Sequence, residues 1–162
     1  MDNLITLLYN YIECHGIITC RQSSLVKEVF GHSVILSCNR LNIITENDLE
    51  FEEYKIYKEM SLEYRDIFIE NLKDKYSRRL IIQIPMNYHY KRDQQMMPCI
   101  ESFAIFYIND NDYYLTINFR SSDLKRLQTD LRIIYTICKN VLMIKGALQQ
   151  IHINFFNLHK YI

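Results

Sequence analysis

The chain has 162 residues, of which 49% are hydrophobic, and its formal net charge at pH 7 is zero. This length and composition are typical of a folded domain and exclude a disordered segment, so we expect one domain over residues 1–162. The zero net charge gives no general argument for nucleic-acid binding, and no apolar run approaches the roughly 20 residues of a membrane span. We therefore expect neither a nucleic-acid partner nor a membrane partner.

The cysteines lie at wide and irregular intervals. The five are Cys14, Cys20, Cys38, Cys99 and Cys138. They form no CxxC pair and no zinc-binding framework, so the sequence predicts no metal. An odd number of cysteines without a signal peptide favours a reducing compartment, and we expect a cytoplasmic protein.

The first half of the chain is predicted to contain helices at 3–14 and within 48–75, with two strands between them. Apolar residues recur at helical spacing over 3–14, and we expect Gly16 to end this helix. Its expected apolar face consists of Leu4, Leu7, Leu8, Tyr11 and Ile12. Strand-like runs follow over 25–30 and 33–44. The charged, loosely amphipathic stretch 48–75 predicts one or two further helices.

The second half is predicted to be mostly strand, with one regular helix. Strand-like runs cover 80–85, 102–109 and 113–119. The stretch 129–145 carries a stripe of apolar residues at helical spacing, and we expect Gly146 to end it. Residues 147–162 alternate partly and predict a final strand. The expected fold is therefore α+β, a mostly β core with a long helix packed against it.

The order of short motifs through the second half is distinctive. Ser77-Arg78-Arg79 is followed by an apolar strand, a polar loop, Pro98-Cys99, two further strands and Arg120-Ser121-Ser122-Asp123. This order and its spacings resemble the thymidylate synthase family, including the related pyrimidine nucleotide hydroxymethylases. The resemblance reaches both ends of the chain through Arg21, Ser23, Phe30-Gly31, His159 and Tyr161.

The resemblance implies an enzyme that adds a methyl or hydroxymethyl group to C5 of a pyrimidine nucleotide. Cys99 is then the nucleophile, whose thiolate adds to C6 and makes C5 reactive toward a one-carbon donor. The implied donor is 5,10-methylenetetrahydrofolate. The implied proton-relaying glutamate is Glu53, with Glu52 as the alternative. The residues alone leave open a solvated helix face for Glu53 and a buried structural thiol for Cys99, as we expect for the other cysteines.

Four arginines are candidate phosphate ligands, because a guanidinium group offers paired donors to a phosphate dianion. They are Arg21, Arg78, Arg79 and Arg120, and Ser121 can add a hydroxyl donor. The resemblance implies that Arg78 and Arg79 reach into the partner's site across a dimer interface. It thus implies a thymidylate synthase-like sheet that forms a homodimer with shared active sites. By themselves, Arg78 and Arg79 would be a solvated pair at a helix end.

Four further residues are candidates for the base and the sugar. The resemblance puts Asp123 and Asp130 on the base side, at a spacing one residue shorter than in the family. A carboxyl group at Asp130 can serve a cytosine amino group, although it equally fits an ordinary charge near a helix N-terminus. His159 and Tyr161 share one face of a strand. The resemblance implies that they bind the sugar 3′-hydroxyl, and the alternative is an exposed face of the terminal strand.

Several positions differ from the family pattern. Ile100 replaces the histidine after Pro-Cys, and Phe119 replaces the glutamine before Arg120. The chain contains no tryptophan, its middle region is short, and we expect no C-terminal lid, so the groups that hold folate and exclude water are reduced. Two alternatives therefore stay open. One is a shortened, non-catalytic relative that binds a nucleotide or a partner protein, and the other is C5 activation with a different electrophile.

Overall fold

The structure is a computed structural model that describes residues 2–21, 24–37, 52–74, 80–84 and 99–162. Within these ranges the chain forms three helices and seven strands. In chain order they are α1 Asp2–His15, β1 Ile17–Arg21, β2 Ser24–Ser37, α2 Glu52–Asn71, β3 Ile81–Gln83, β4 Ile100–Tyr107, β5 Asp112–Phe119, β6 Ser122–Asp123, α3 Leu127–Asn140 and β7 Ala147–Tyr161. The predicted α+β class is confirmed.

The strands of the described chain form one open sheet, in the order β1-β2-β7-β5-β4-β3. The short strand β6 continues the line of β5 along β7. Neighbouring strands are antiparallel, except that β5 and β6 run parallel to β7. A parallel connection requires a crossover, and α3 supplies it between β6 and β7. The strand β7 is therefore central, because it pairs with β2 on one side and with β5 and β6 on the other.

One face of the sheet is covered by all three helices. The buried cluster joins Leu8 of α1, Tyr57 of α2 and Ile134 of α3 to inward side chains of the strands, including Phe103 and Ile153. Each of these side chains is almost fully buried, and such burial contributes roughly 1.5–3 kcal/mol per residue. The apolar contact with the sheet therefore holds the helices on this face.

The two strand runs predicted on either side of Gly31 form a single strand, β2, so the predicted division is wrong. Gly31 has φ of +64°, in the left-handed region that glycine adopts without steric cost. The chain therefore changes its local path at Gly31 without leaving the sheet. Residues 38–44 of the second predicted run lie outside the described residues.

The helix α3 ends at Asn140, earlier than predicted, and Gly146 does not end it. Met143 adopts φ of +57° after the last turn, which takes the backbone off the helical path. Gly146, with φ of +97°, instead lies where the chain enters β7 beside Asn111. A Cβ atom at this position would lie 2.5 Å from the Asn111 carbonyl oxygen, so the close approach requires glycine.

The other predicted elements are confirmed, with small changes at their ends. Leu4, Leu8 and Ile12 of α1 are buried as expected, but Leu7 is exposed. The three buried residues follow one another at intervals of four, and Leu7 lies to one side of that row. In the ranges that the structure describes, no helix is both long enough and apolar enough to cross a membrane.

The opposite face of the sheet is left uncovered by these three helices. A row of polar side chains crosses it from β2 to β4 through direct hydrogen bonds. Ser33 Oγ donates to Asn154 Oδ1 at 2.9 Å. Asn154 Nδ2 donates to Asn118 Oδ1 at 2.8 Å, and Asn118 Nδ2 donates to Ser102 Oγ at 2.8 Å. Because each amide both donates and accepts, the row links four neighbouring strands in one register.

Candidate functional site

The alternation of buried and outward side chains shifts by one residue near the end of β7. The residues that face the helices are Ile151, Ile153, Phe155, Leu158 and Lys160. Lys160 belongs to this face because its Nζ bonds to Glu13 of α1. Two consecutive residues, Phe156 and Asn157, therefore point away from the helices, as at a β-bulge.

The same shift occurs at the same level in the strands on both sides of β7. In β2, Phe30 is paired with Asn157, and it lies next to Gly31. On the other side of β7, Arg120 and Ser121 lie between the end of β5 and the start of β6. The residues before and after them pair with β7 in the same register. Three strands thus redirect neighbouring side chains to the same place on the sheet.

These redirected side chains line a cavity of about 380 Å³. They are Phe30, Arg120, Ser121, Phe156 and Asn157. The remaining wall comes from two cross-strand pairs of β2 and β7, which are Val26 with Tyr161 and Glu28 with His159. The cavity therefore has an aromatic side and a polar side, and its volume suits a small ligand.

The polar side of the cavity is connected by hydrogen bonds. Glu28 is a buried carboxylate, 2% exposed, which accepts from Thr19 Oγ1 at 2.6 Å and from Asn157 Nδ2 at 2.6 Å. Asn157 Oδ1 lies 3.0 Å from His159 Nδ1, and Ser121 Oγ lies 3.4 Å from the same nitrogen. The buried charge is thus matched by fixed donors, as a buried carboxylate requires.

Four of the predicted substrate-binding residues line this one cavity: Arg120, Ser121, His159 and Tyr161. His159 and Tyr161 share a face, as predicted, and their rings meet edge to face with centroids 5.7 Å apart. Arg120 is exposed, so its guanidinium is available to a ligand in solution.

Cys99 is connected to the cavity through the backbone. Its carbonyl oxygen accepts a hydrogen bond from the Arg120 N–H at 2.9 Å, and its side chain is half-buried against the core. Its side chain is not among the described residues that line the cavity. The next amide, of Ile100, donates to Tyr57 Oη at 3.1 Å. Both hydrogen bonds are made by the peptide group that joins Cys99 to Ile100, so α2 and the residue after β5 hold the backbone that directly follows the candidate nucleophile.

Tyr57→Phe is expected to lower the free energy of unfolding by about 1–3 kcal/mol, because the buried Ile100 amide loses its acceptor. Urea denaturation followed by circular dichroism measures the change. Tyr64→Phe is the matched control, since Tyr64 lies on the exposed side of the same helix and should change stability by less than about 0.5 kcal/mol. Equal stabilities of the two variants would show that Tyr57 does not support this backbone.

Asp123 and Asp130 are not among the residues that line the cavity. Asp123 Oδ1 accepts from the Lys125 amide at 3.0 Å, so this carboxylate shapes the turn before α3. Asp130 is 3% exposed in the first turn of α3, where a negative charge also suits the helix dipole. Their assignment to the base side stays a prediction.

The remaining predicted site residues cannot be compared with the cavity. Arg78 and Arg79 lie outside the described residues. Arg21 ends β1 and Glu53 lies in the first turn of α2, but their side chains are also outside the described part of the structure. Their roles therefore stay predictions.

The expectation that the other cysteines are buried is wrong for Cys14 and Cys20, which are both exposed. Cys14 lies off the row of α1 that faces the sheet, and Cys20 lies on the edge strand β1. Cys138 is buried, and burial raises the pKa of its thiol to about 12, so it stays protonated and unreactive near neutral pH. Cys38 lies outside the described residues.

Two residues that complete the polar network were not predicted from the sequence: Glu28 and Asn157. A signal for Glu28 was present, because it is a charged residue inside an apolar strand run. A signal for Asn157 was its position two residues before His159, which gives it the same face of the strand. Neither signal identifies a network without the pairing of β2 with β7.

Comparison with models of known protein families finds no match, and no curated protein matches the chain. Across the described ranges, no three His, Cys, Asp or Glu side chains gather into a group that could hold a metal ion. The cavity combines a guanidinium group, a hydroxyl group and an imidazole with aromatic walls, and its carboxylate, Glu28, is bonded to Thr19 and Asn157. This combination suits an anionic ligand that also carries hydroxyl groups and a flat ring.

Proposed function

We propose that the chain binds a pyrimidine nucleoside monophosphate in this cavity and transfers a one-carbon unit to C5 of the base. One observation carries the proposal. Arg120, Ser121, His159 and Tyr161 were selected by the resemblance to the thymidylate synthase family, and they line a single cavity. Residues chosen at random from two distant parts of a chain would not be expected to converge in this way.

The chemistry of the cavity supports each part of such a ligand. Arg120 and Ser121 offer the charged and hydroxyl donors that a phosphate dianion needs. His159 and Tyr161 can exchange hydrogen bonds with a sugar hydroxyl. Phe30 and the other aromatic side chains form an apolar wall beside which a pyrimidine ring can lie.

In the proposed reaction the Cys99 thiolate forms a bond to C6 of the base, and C5 gains the electron pair of the former double bond. 5,10-Methylenetetrahydrofolate would supply the one-carbon unit: C5 would bond to its methylene carbon and lose its proton, and the bonds between that carbon and the folate nitrogens would break. The methylene group at C5 would then take either a hydride from the tetrahydrofolate, which becomes dihydrofolate, to give a methyl group, or a hydroxide from water to give a hydroxymethyl group, while the thiolate leaves C6.

The thiolate requires a nearby positive charge, and Arg120 and Arg21 are the proposed sources. The Arg120 amide is bonded to the Cys99 carbonyl. Asp123, Asp130 and Glu53 are the proposed base-side and proton-relaying residues.

The proposal includes a thymidylate synthase-like homodimer that pairs through the sheet. Its support is the face that the three helices leave uncovered, where Ile35 is 64% exposed and Phe106 is 42% exposed. Apolar side chains on an open sheet face are suited to burial against a second copy. In this dimer, Arg78 and Arg79 would complete the partner's phosphate site.

Arg120→Ala is expected to weaken binding of dUMP or dCMP by about 2 kcal/mol, which is about thirtyfold in Kd, because a charge-assisted contact with phosphate is lost. Isothermal titration calorimetry measures the change. Lys125→Ala is the control, since Lys125 is exposed and does not line the cavity. Equal affinity of the unsubstituted chain for nucleotide and nucleoside would contradict the assignment of Arg120 to the phosphate.

A second candidate function is a non-catalytic relative that binds the nucleotide alone. Two observations favour it: the Cys99 side chain does not line the cavity in the described part of the chain, and the buried Ile100 follows it. The two candidates share nucleotide binding and differ in covalent chemistry at C6, which the Cys99→Ser experiment in the Discussion distinguishes.

A further inference from the structure

We infer that Glu28 is a positioning residue that determines, through Asn157, which ring nitrogen of His159 carries the hydrogen. Only the last step, in which His159 accepts a hydrogen bond from a ligand hydroxyl, rests on the proposed function. The earlier steps depend on contacts within the chain.

The first step is the orientation of the Asn157 amide. Glu28 as a carboxylate can only accept hydrogen bonds, and its two oxygens accept from Thr19 Oγ1 and from Asn157 Nδ2, each at 2.6 Å. The NH₂ group of Asn157 therefore has to face Glu28. The amide oxygen of Asn157 is consequently turned toward the other side of the network.

The second step is the form of the imidazole. Asn157 Oδ1 lies 3.0 Å from His159 Nδ1, and an amide oxygen can only accept, so Nδ1 has to carry the hydrogen. Ser121 Oγ lies 3.5 Å from the same amide oxygen and can donate to it, which agrees with this assignment. In the neutral ring, Nε2 then holds the lone pair.

The consequence is a chemical preference in the cavity. With Nδ1 as the donor, His159 can offer only an acceptor at Nε2, so it favours a ligand group that donates a hydrogen bond. In the proposed nucleotide complex this group is a sugar hydroxyl. A residue at position 28 that could not hold the Asn157 amide would remove this preference, although it would leave the imidazole in place.

The test is ¹⁵N NMR of the imidazole rings in the chain without ligand, at a pH of about 9, where an ordinary imidazole is neutral. The chain has five histidines, and His159→Gln identifies the signal of interest. We expect the Nδ1–H form for His159 in the unsubstituted chain. The Nε2–H form would overturn the inference without the need for any Glu28 variant.

Two substitutions test the role of Glu28 itself. In Glu28→Leu, Asn157 is no longer held, and the population of His159 is expected to shift toward Nε2–H. Glu28→Gln keeps an oxygen that accepts from Asn157 and should retain Nδ1–H. Unchanged populations in a folded Glu28→Leu chain would contradict the inference. If that variant does not fold, Asn157→Ala replaces it, and retention of a dominant Nδ1–H form there would be the contradicting result.

The ligand step is tested separately by comparing dUMP with its 3′-O-methyl analogue, whose 3′ oxygen can accept a hydrogen bond but cannot donate one. The unsubstituted chain should bind the analogue about tenfold more weakly, and Glu28→Leu, in which Nε2–H can donate to either oxygen, should show a clearly smaller ratio. A ratio that stays near tenfold in Glu28→Leu would contradict the preference. If neither nucleotide binds, the proposed function fails, whereas the NMR result still decides the role of Glu28.

Discussion

Cys99→Ser is expected to abolish both covalent adduct formation with a 5-fluoropyrimidine monophosphate and tritium release from 5-tritiated pyrimidine nucleotides. A thiolate adds to C6 and leaves again, whereas a serine hydroxyl stays protonated near neutral pH and is a far weaker nucleophile. Once C5 has bonded to the one-carbon unit, fluorine at C5 cannot leave as a proton does, so the adduct is trapped when 5,10-methylenetetrahydrofolate is present. Intact-mass spectrometry measures the adduct. Tritium release is measured with dUMP, dCMP, UMP and CMP, with and without 5,10-methylenetetrahydrofolate.

Cys20→Ser is the matched control, because Cys20 is an exposed cysteine on β1 and its loss should change neither reaction. Alkylation with peptide mapping adds an independent measure. Cys14 and Cys20 will react because they are exposed, and Cys138 should not, so protection by bound nucleotide identifies the site cysteine. If Cys99 is not protected and no nucleotide releases tritium, the catalytic proposal fails and the non-catalytic nucleotide-binding relative is the better account.

A mixture of an Arg78→Ala/Arg79→Ala chain with a Cys99→Ser chain is expected to recover activity that neither chain has alone. In the proposed dimer each site takes its nucleophile from one chain and the arginine pair from the other, so every heterodimer contains one intact site. With equal amounts and free exchange, about a quarter of all sites are intact. Tritium release measures the recovery.

A mixture of Cys99→Ser with Cys99→Ala is the control, because no intact site can form in it. Subunit exchange is followed by mass-tagging one of the two chains. Recovery no greater than the control, in a mixture whose subunits demonstrably exchange, would contradict shared sites. A monomer by light scattering at the working concentration would also contradict the dimer.

The periodic elements of the fold could be predicted from sequence because their signal is local. The strand β5 alternates strictly between buried and half-buried residues, and α3 carries its buried stripe at helical spacing. The end of α3 could not be predicted, because it depends on Met143, which adopts a left-handed backbone conformation. Sequence rules expect glycine at such a position. The continuity of β2 through Gly31 could not be predicted either. Glycine is typical of a turn, so the sequence indicated a turn where the strand continues.

Four residues of the candidate site could be predicted: Arg120 and Ser121 from the motif, and His159 and Tyr161 from the motif together with the alternation of the strand. Glu28 is recognisable as a charged residue inside an apolar strand run, but its burial could not be predicted, because a charged residue in a strand is usually solvated. Its burial depends on Asn157, which lies 129 residues away in the sequence. The cavity itself arises from a shift that three strands share, and only the pairing of those strands reveals it.

This shared shift couples the lengths of three distant segments. Adding or removing one residue near Gly31, Arg120 or Phe156 in a single strand would exchange the two faces of everything beyond that point. The neighbouring strands would keep their original alternation of inward and outward side chains. Core residues of the altered strand would then lie beside pocket residues of its neighbours. Insertions and deletions at this level could therefore persist during evolution only if all three strands changed together, whereas substitutions there could accumulate one at a time.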